Sequence, residues 1–120
     1  MFDNKTGGIK MNIREKLEIA EELWSKTDDD DAAWNAEDYH GWACSDVKTI
    51  LNNIKINDEM SFFDIINDLT IDMFTLILEL KKDIPIIDIK FETLRELNDK
   101  LGGDIELSYM EGMMFIYKTF

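Results

Sequence analysis

The fold class of the chain follows from FETLRELNDKLGGDIELSYMEGMMFIYK, residues Phe91–Lys118. The first part repeats leucine at helical spacing and ends in a glycine pair, which is typical of an amphipathic helix and its C-terminal stop. The second part alternates apolar and polar residues on either side of Glu111-Gly112, a dipeptide that favours a β-hairpin turn. We therefore predict a helix over 91–101 and strands over 105–110 and 113–118.

Residues before this stretch extend the pattern. Ile84–Lys90 (IPIIDIK) is short and β-branched, which predicts a buried strand and makes the C-terminal half a β-α-β-β unit. Asn12 is a candidate N-cap for an amphipathic helix that has Leu17, Ala20 and Trp24 at helical spacing. The predicted fold class is α+β: N-terminal helices followed by a β-α-β-β unit that forms a small, mainly antiparallel sheet.

Further helices are predicted in the middle of the chain. Ala32–Tyr39 forms a short helix that Gly41 breaks, and Ser45 caps a second helix. Ser61–Asp83 (SFFDIINDLTIDMFTLILELKKD) carries apolar residues at helical spacing over a wide face. This segment is either one long helix or two short helices that meet near Thr70, and we favour two.

Length and composition set the broad class. The 120 residues fit a single globular domain over 11–120, preceded by a flexible arm over 1–10 that lacks periodicity. A lone cysteine, Cys44, excludes an internal disulfide framework and indicates a reducing compartment. No uncharged apolar run reaches the roughly 18 residues that a membrane span needs. We expect a soluble, cytoplasmic protein with no membrane partner.

The net charge of −13 is concentrated in two windows. Residues 27–47 hold seven acids and no Lys or Arg, and residues 56–80 hold six acids and no Lys or Arg. Concentrated acidity creates a directional field that attracts a cationic partner. The same acidity argues against direct nucleic-acid binding, because that binding needs Lys and Arg to neutralise phosphates.

The first window, Thr27–Val47, interleaves its acids with large aromatic residues. Aromatic side chains belong to the core by default, but Trp and Tyr surrounded by carboxylates are also typical anchors of a protein interface. The candidate partner-binding residues here are Asp28, Asp29, Asp30, Asp31, Trp34, Glu37, Asp38, Tyr39 and Trp42.

The second window places Asp64, Asp68 and Asp72 at intervals of four residues. On a continuous helix these carboxylates would form a row spaced by about 6 Å, comparable to the separation of phosphates along a nucleic-acid strand. The alternative interpretation is the polar side of an amphipathic helix. The absence of bases between Lys55 and Lys81 favours the first, since like charges four residues apart repel. We therefore include all three as candidate partner-binding residues.

Catalytic and metal motifs are not found in the sequence. An EF-hand loop counted from Asp28 would need Gly at its sixth position and Glu at its twelfth, but Ala33 and Tyr39 stand there. His40 and Cys44 share the spacing of one helix face, but zinc needs three or four ligands and the chain has no other His or Cys. We predict no cofactor, no metal and no enzymatic activity.

These observations favour a small acidic inhibitor that binds and occludes a basic surface of a nucleic-acid-handling protein, such as a nuclease or a defence complex, by phosphate mimicry. Phage anti-restriction and anti-CRISPR proteins and nuclease immunity proteins are similar in size and charge. A second hypothesis is a winged-helix-like regulatory or adaptor module that acts through protein contacts, since a helix precedes a hairpin in 91–118. A third is an enzyme with an unrecognised site.

Overall fold

The structure, a computed structural model, describes residues 11–26, 30–82 and 89–120. Its helices and strands in these ranges are α1 (Ile13–Trp24), α2 (Asp30–Asn53), β1 (Ile66–Asp72), β2 (Thr75–Leu80), α3 (Phe91–Lys100), β3 (Glu106–Met110) and β4 (Met113–Thr119). The strands form one antiparallel sheet in the order β1-β2-β4-β3. Helices followed by an antiparallel sheet confirm the predicted α+β class.

The chain divides into two compact units, Met1–Ala43 and Cys44–Phe120. The first holds α1 and the N-terminal half of α2, and the second holds the rest of α2, the sheet and α3. A single domain over 11–120 stays a prediction. The predicted arm over 1–10 lies outside the described residues.

Helix α1 begins where the sequence predicts. The side chain of Asn12 accepts a hydrogen bond from the Glu15 backbone N–H at 2.8 Å, and the Glu15 carboxylate accepts one from the Asn12 N–H at 3.0 Å. This capping box satisfies two of the free N–H groups at the start of the helix. Leu17 and Ala20 are buried, whereas Trp24, expected on the same stripe, is exposed.

Helix α2 runs unbroken through Gly41, so the predicted break there and the N-cap at Ser45 are wrong. A glycine inside a helix costs about 1 kcal/mol relative to alanine. That cost does not break a helix whose turns before and after the glycine both bury apolar residues. The buried positions of α2 repeat at intervals that keep them on one stripe: Ala32, Ala36, Ala43, Val47 and Leu51. This stripe continues in phase across Gly41 and outweighs the local preference.

The segment 61–82 contains no α-helix, so the predicted helices there are wrong. Phe62–Ile65 forms a 3-10 turn, after which β1 and β2 make a hairpin closed by Met73 and Phe74. Burial alternates along β2, where Leu76, Leu78 and Leu80 are fully buried and the residues between them are half-buried. The segment is rich in β-branched residues, whose preference for strands is realised when the hairpin packs into a sheet. Spacing of i,i+4 along a strand also repeats on one face, which explains the false helical signal.

The C-terminal elements confirm the sequence prediction. Helix α3 ends before Gly102 and Gly103, whose positive φ angles of 95° and 91° form the helix stop. Strands β3 and β4 are joined by Glu111 and Gly112 at φ 53° and 79°, the pattern of a type I′ turn. Of the predicted strand Ile84–Lys90, residues 84–88 lie outside the described residues, and 89–90 lead directly into α3.

One face of the sheet forms the core of the second unit. The register aligns Leu78 of β2 with Ile116 of β4, and both are fully buried. Lys118 lies on the same face of β4, where its ammonium donates a hydrogen bond to the Gly103 carbonyl at 2.6 Å. This bond ties the loop after α3 to the sheet.

Candidate functional site

The candidate site is the side of α2 opposite its buried stripe. Residues three or four apart in a helix are neighbours on its surface, so Trp34, Asp38 and Trp42 follow one another along this side. We call it the acidic-aromatic face and define it as Asp30, Asp31, Trp34, Glu37, Asp38 and Trp42. All six residues are exposed. The continuity of α2 through Gly41 is what brings Trp42 into line with Trp34.

The two tryptophans of this face are unusually open to solvent. Trp34 is 70% exposed and Trp42 is 51% exposed. Tyr39 is half-buried, and its ring meets the Trp42 ring edge to face with centroids 4.9 Å apart and planes at 74°. This is a preferred aromatic geometry, and it holds Trp42 in place from one side. The structure thus brings the three predicted aromatic residues onto one helix, two as exposed side chains and one as a support.

The carboxylates of the face have no Lys or Arg beside them on the helix. The first Lys or Arg in α2 is Lys48, and Asp30 and Asp31 lie in the first turn, where the helix dipole stabilises negative charge. Glu37 and Asp38 lie beyond the first turn and make no ion pair with the described part of the chain. Their charge is therefore available to a cation from outside.

Two predicted site residues, Asp28 and Asp29, lie outside the described residues. The predicted helical row of Asp64, Asp68 and Asp72 does not exist, because the segment forms a 3-10 turn and a strand. Asp68 and Asp72 share one face of β1 but are separated by about 13 Å at the rise of a strand. The row's phosphate-like spacing is thus lost.

Asp64 has a structural role. Its carboxylate accepts hydrogen bonds from the Ser61 backbone N–H at 2.8 Å and from the Ser61 hydroxyl at 3.2 Å. These bonds, the backbone bond first, hold the pKa of Asp64 below its usual value, and Lys81 and Lys55 add a smaller effect in the same direction. The carboxylate stabilises the turn that leads into β1.

Neither His40 nor Cys44 has surroundings in the described part of the chain that favour a metal or nucleophilic site. The His40 ring lies against the exposed Trp24 ring, with centroids 5.5 Å apart. Cys44 is half-buried, and burial raises the pKa of its thiol, which disfavours the reactive thiolate, although Lys48 acts weakly in the opposite direction. Among the described residues, no three His, Cys, Asp or Glu side chains are grouped to hold a metal ion.

The sequence analysis missed a second exposed apolar set, on the strand β3. Leu107, Tyr109 and Met110 are exposed by 44%, 61% and 52%. The alternation of the hairpin predicts a strand here but does not tell an edge strand from an internal one. The partner strand β4 is internal, since it also pairs with β2, and β3 is therefore an edge strand of the sheet.

Comparison of the chain with protein families, curated proteins and solved structures finds no match. Across the described residues, none of the helices has the length and apolar character needed to cross a membrane. The functional argument therefore rests on the geometry and charge of the chain itself.

Proposed function

We propose that the protein is a small acidic inhibitor that binds a basic surface of a nucleic-acid-handling protein, a nuclease or a defence complex, through the acidic-aromatic face of α2. The observation that carries the proposal is the 70% exposure of Trp34 on a base-free helix surface that also carries Glu37 and Asp38. A large apolar ring left in water costs free energy unless a partner covers it, and Trp is the residue most enriched at energetic centres of interfaces.

The two kinds of side chain have separate tasks in this mechanism. The carboxylates attract Lys and Arg of the partner at long range and raise the association rate, an effect that salt screens. Trp34 and Trp42 then enter apolar depressions between the basic groups and slow dissociation. Inhibition follows by occlusion, because the basic surface that the helix covers is the surface that nucleic acid needs.

The inhibitor does not depend on copying a phosphate register. On α2, Asp31 and Asp38 are seven residues apart, about 10.5 Å along the axis at the rise of an α-helix. With no row at Asp64, Asp68 and Asp72, mimicry of a regular strand has little support. Charge complementarity with aromatic anchors is the form of the proposal that the geometry supports.

The test begins with capture of partners by tagged protein from a lysate that contains nucleases and defence complexes, at low and at high salt. A captured basic protein is then titrated with the wild type, with Trp34→Ala and with Glu37→Gln/Asp38→Asn. Loss of a tryptophan anchor weakens binding by about 2 kcal/mol, roughly thirtyfold in Kd. Loss of the two charges reduces the association rate and flattens its salt dependence.

The matched control is Glu92→Gln/Asp99→Asn on α3, which removes the same charge from exposed positions of the other unit. We expect the control to bind as the wild type does. If the Glu37/Asp38 variant and the Glu92/Asp99 control lost the same affinity, the net charge of the protein, and not the acidic-aromatic face, would explain the effect. Capture of no basic protein, or binding that Trp34→Ala leaves unchanged, would refute the role of this face.

A further inference from the structure

The free edge of β3 carries open hydrogen-bonding groups beside exposed apolar side chains. The type I′ turn makes Met110 and Met113 a hydrogen-bonded pair, and in an antiparallel ladder such pairs alternate with non-bonded ones. The backbone N–H and C=O groups of Leu107 and Tyr109 therefore point away from β4, where no strand pairs with them in the described part of the chain.

The opposite edge of the same sheet is protected. Strand β1 is interrupted by an irregular register between Ile66 and Asp68, and it carries the exposed charges of Asp68 and Asp72. Bulges and charges are the usual devices that stop an edge strand from pairing with another chain. Strand β3 pairs regularly over its whole length and presents Leu107 and Tyr109 to solvent. The β1 edge is therefore protected from pairing with another chain, and the β3 edge is not.

The acidic residues around the open edge of β3 favour a basic binding partner. From Leu101 to Tyr117 the chain holds Asp104, Glu106 and Glu111, all exposed, and no Lys or Arg. A second copy of this chain, with its net charge of −13, would bring the same three acids to the same edge and be repelled. A basic chain would instead be attracted.

We propose that the β3 edge binds an extended, basic segment of a partner polypeptide by β-strand addition. The two faces of β3 define the pattern of that segment. Residues directly opposite each other in a sheet share a face, so apolar side chains lie beside Leu107 and Tyr109. The alternate side chains, Lys or Arg, lie on the face of Glu106. The backbone groups of the segment complete the open hydrogen bonds.

This surface lies in the unit Cys44–Phe120 and does not depend on the acidic-aromatic face. The probe is a short peptide of alternating lysine and valine with blocked ends, titrated into the full-length protein and followed by NMR. We expect shifts concentrated in β3 and slower hydrogen exchange of the Leu107 and Tyr109 amides, because both become hydrogen-bonded donors.

Two controls separate strand addition from simple charge attraction. A peptide N-methylated at its valines keeps its side chains and charge but loses the donors that face β3, and we expect it not to bind. Tyr109→Lys guards the edge with a charge and weakens the unmethylated peptide by about tenfold. Thr70→Lys makes the same charge change on the β1 edge, and we expect it to leave binding nearly unchanged.

Equal binding of the methylated peptide would overturn the proposal, since charge alone would then account for the affinity. An equal loss in Thr70→Lys would overturn it in the same way. Protection of the Leu107 and Tyr109 amides without peptide, together with a dimer in analytical ultracentrifugation, would assign the edge to a second copy instead. Binding lost on Tyr109→Lys but kept in an α2 variant such as Trp34→Ala would support the β3 site independently of the proposed inhibitor face.

Discussion

Replacement of Gly41 by alanine tests the continuity of α2, on which the acidic-aromatic face depends. Gly41 lies inside the helix, and a Cβ atom added there meets no atom within 4 Å. Alanine therefore adds no contact and no clash, and the change in stability equals the difference in helix propensity. That difference is about 1 kcal/mol in favour of alanine. If the helix instead broke at Gly41 in a left-handed turn, alanine would destabilise the protein by a similar amount.

The sign of the effect can be read from thermal unfolding followed by circular dichroism. The unfolding entropy of a chain of this length is about 0.25 kcal/mol/K, so Gly41→Ala is expected to raise Tm by about 4 °C. The matched control is Gly112→Ala, because Gly112 has a positive φ of 79° and equally open space around it. Alanine at 112 is expected to lower stability by about 1 kcal/mol. A Tm that is unchanged or lowered in Gly41→Ala would refute the continuous helix and with it the alignment of Trp34 with Trp42.

Three further changes test the sheet and the turn before it. Leu78→Ala removes a fully buried side chain from β2 and is expected to lower the free energy of unfolding in urea by about 2–5 kcal/mol. The control Ile77→Ala, at a half-buried neighbour, is expected to lower it by less. Equal losses in the two variants would contradict the register of β2. Glu111→Asn is expected to raise the free energy of unfolding by about 0.5 kcal/mol, because asparagine tolerates the positive φ of the first turn position, and a loss of stability would contradict the type I′ geometry. Asp64→Asn is expected to lower the unfolding midpoint at neutral pH only. The folded-state pKa of Asp64 is below its usual 3.8, so its contribution is present above that value and is lost as the pH falls through the folded pKa. A difference between wild type and Asp64→Asn that persists at acid pH would contradict this account.

The parts of the fold that the sequence predicts are those in which local signals agree. In 91–118, helical spacing, a glycine stop and a turn dipeptide all favour one arrangement, and the structure has it. At 61–82 the signals conflict, because apolar residues fit both periods and the turn at Met73 and Phe74 has no glycine or asparagine to announce it. Met73 has a φ of 54°, a value that glycine normally adopts in turns. The sequence therefore has no turn residue that would predict the hairpin.

The candidate site shows a similar division. Its residue types and charges can be read from the sequence. The exposure of each side chain depends on which side of α2 is buried. The expected break at Gly41 would have divided the buried stripe of α2 into two unrelated parts. That Trp34 and Trp42 are exposed anchors and Tyr39 is not can be recognised only once α2 is known to be continuous. The open edge of β3 is harder still, since strand order is a property of the whole sheet and not of the residues in one strand.

The two acidic windows, alike in the sequence, differ in what the fold does with them. In the second window, Asp64 stabilises the turn at Ser61, and Glu79 accepts a hydrogen bond from the Asn67 side chain at 2.6 Å. Asp68 and Asp72 lie on an edge strand, where charge hinders pairing with another chain, so four of the six acids in that window have a structural interpretation. In the first window, Glu37 and Asp38 make no such bond with the described part of the chain, and like charges near each other on one helix repel. Acids that the fold does not use, beside a tryptophan that it does not bury, are the reason to look for the partner at α2.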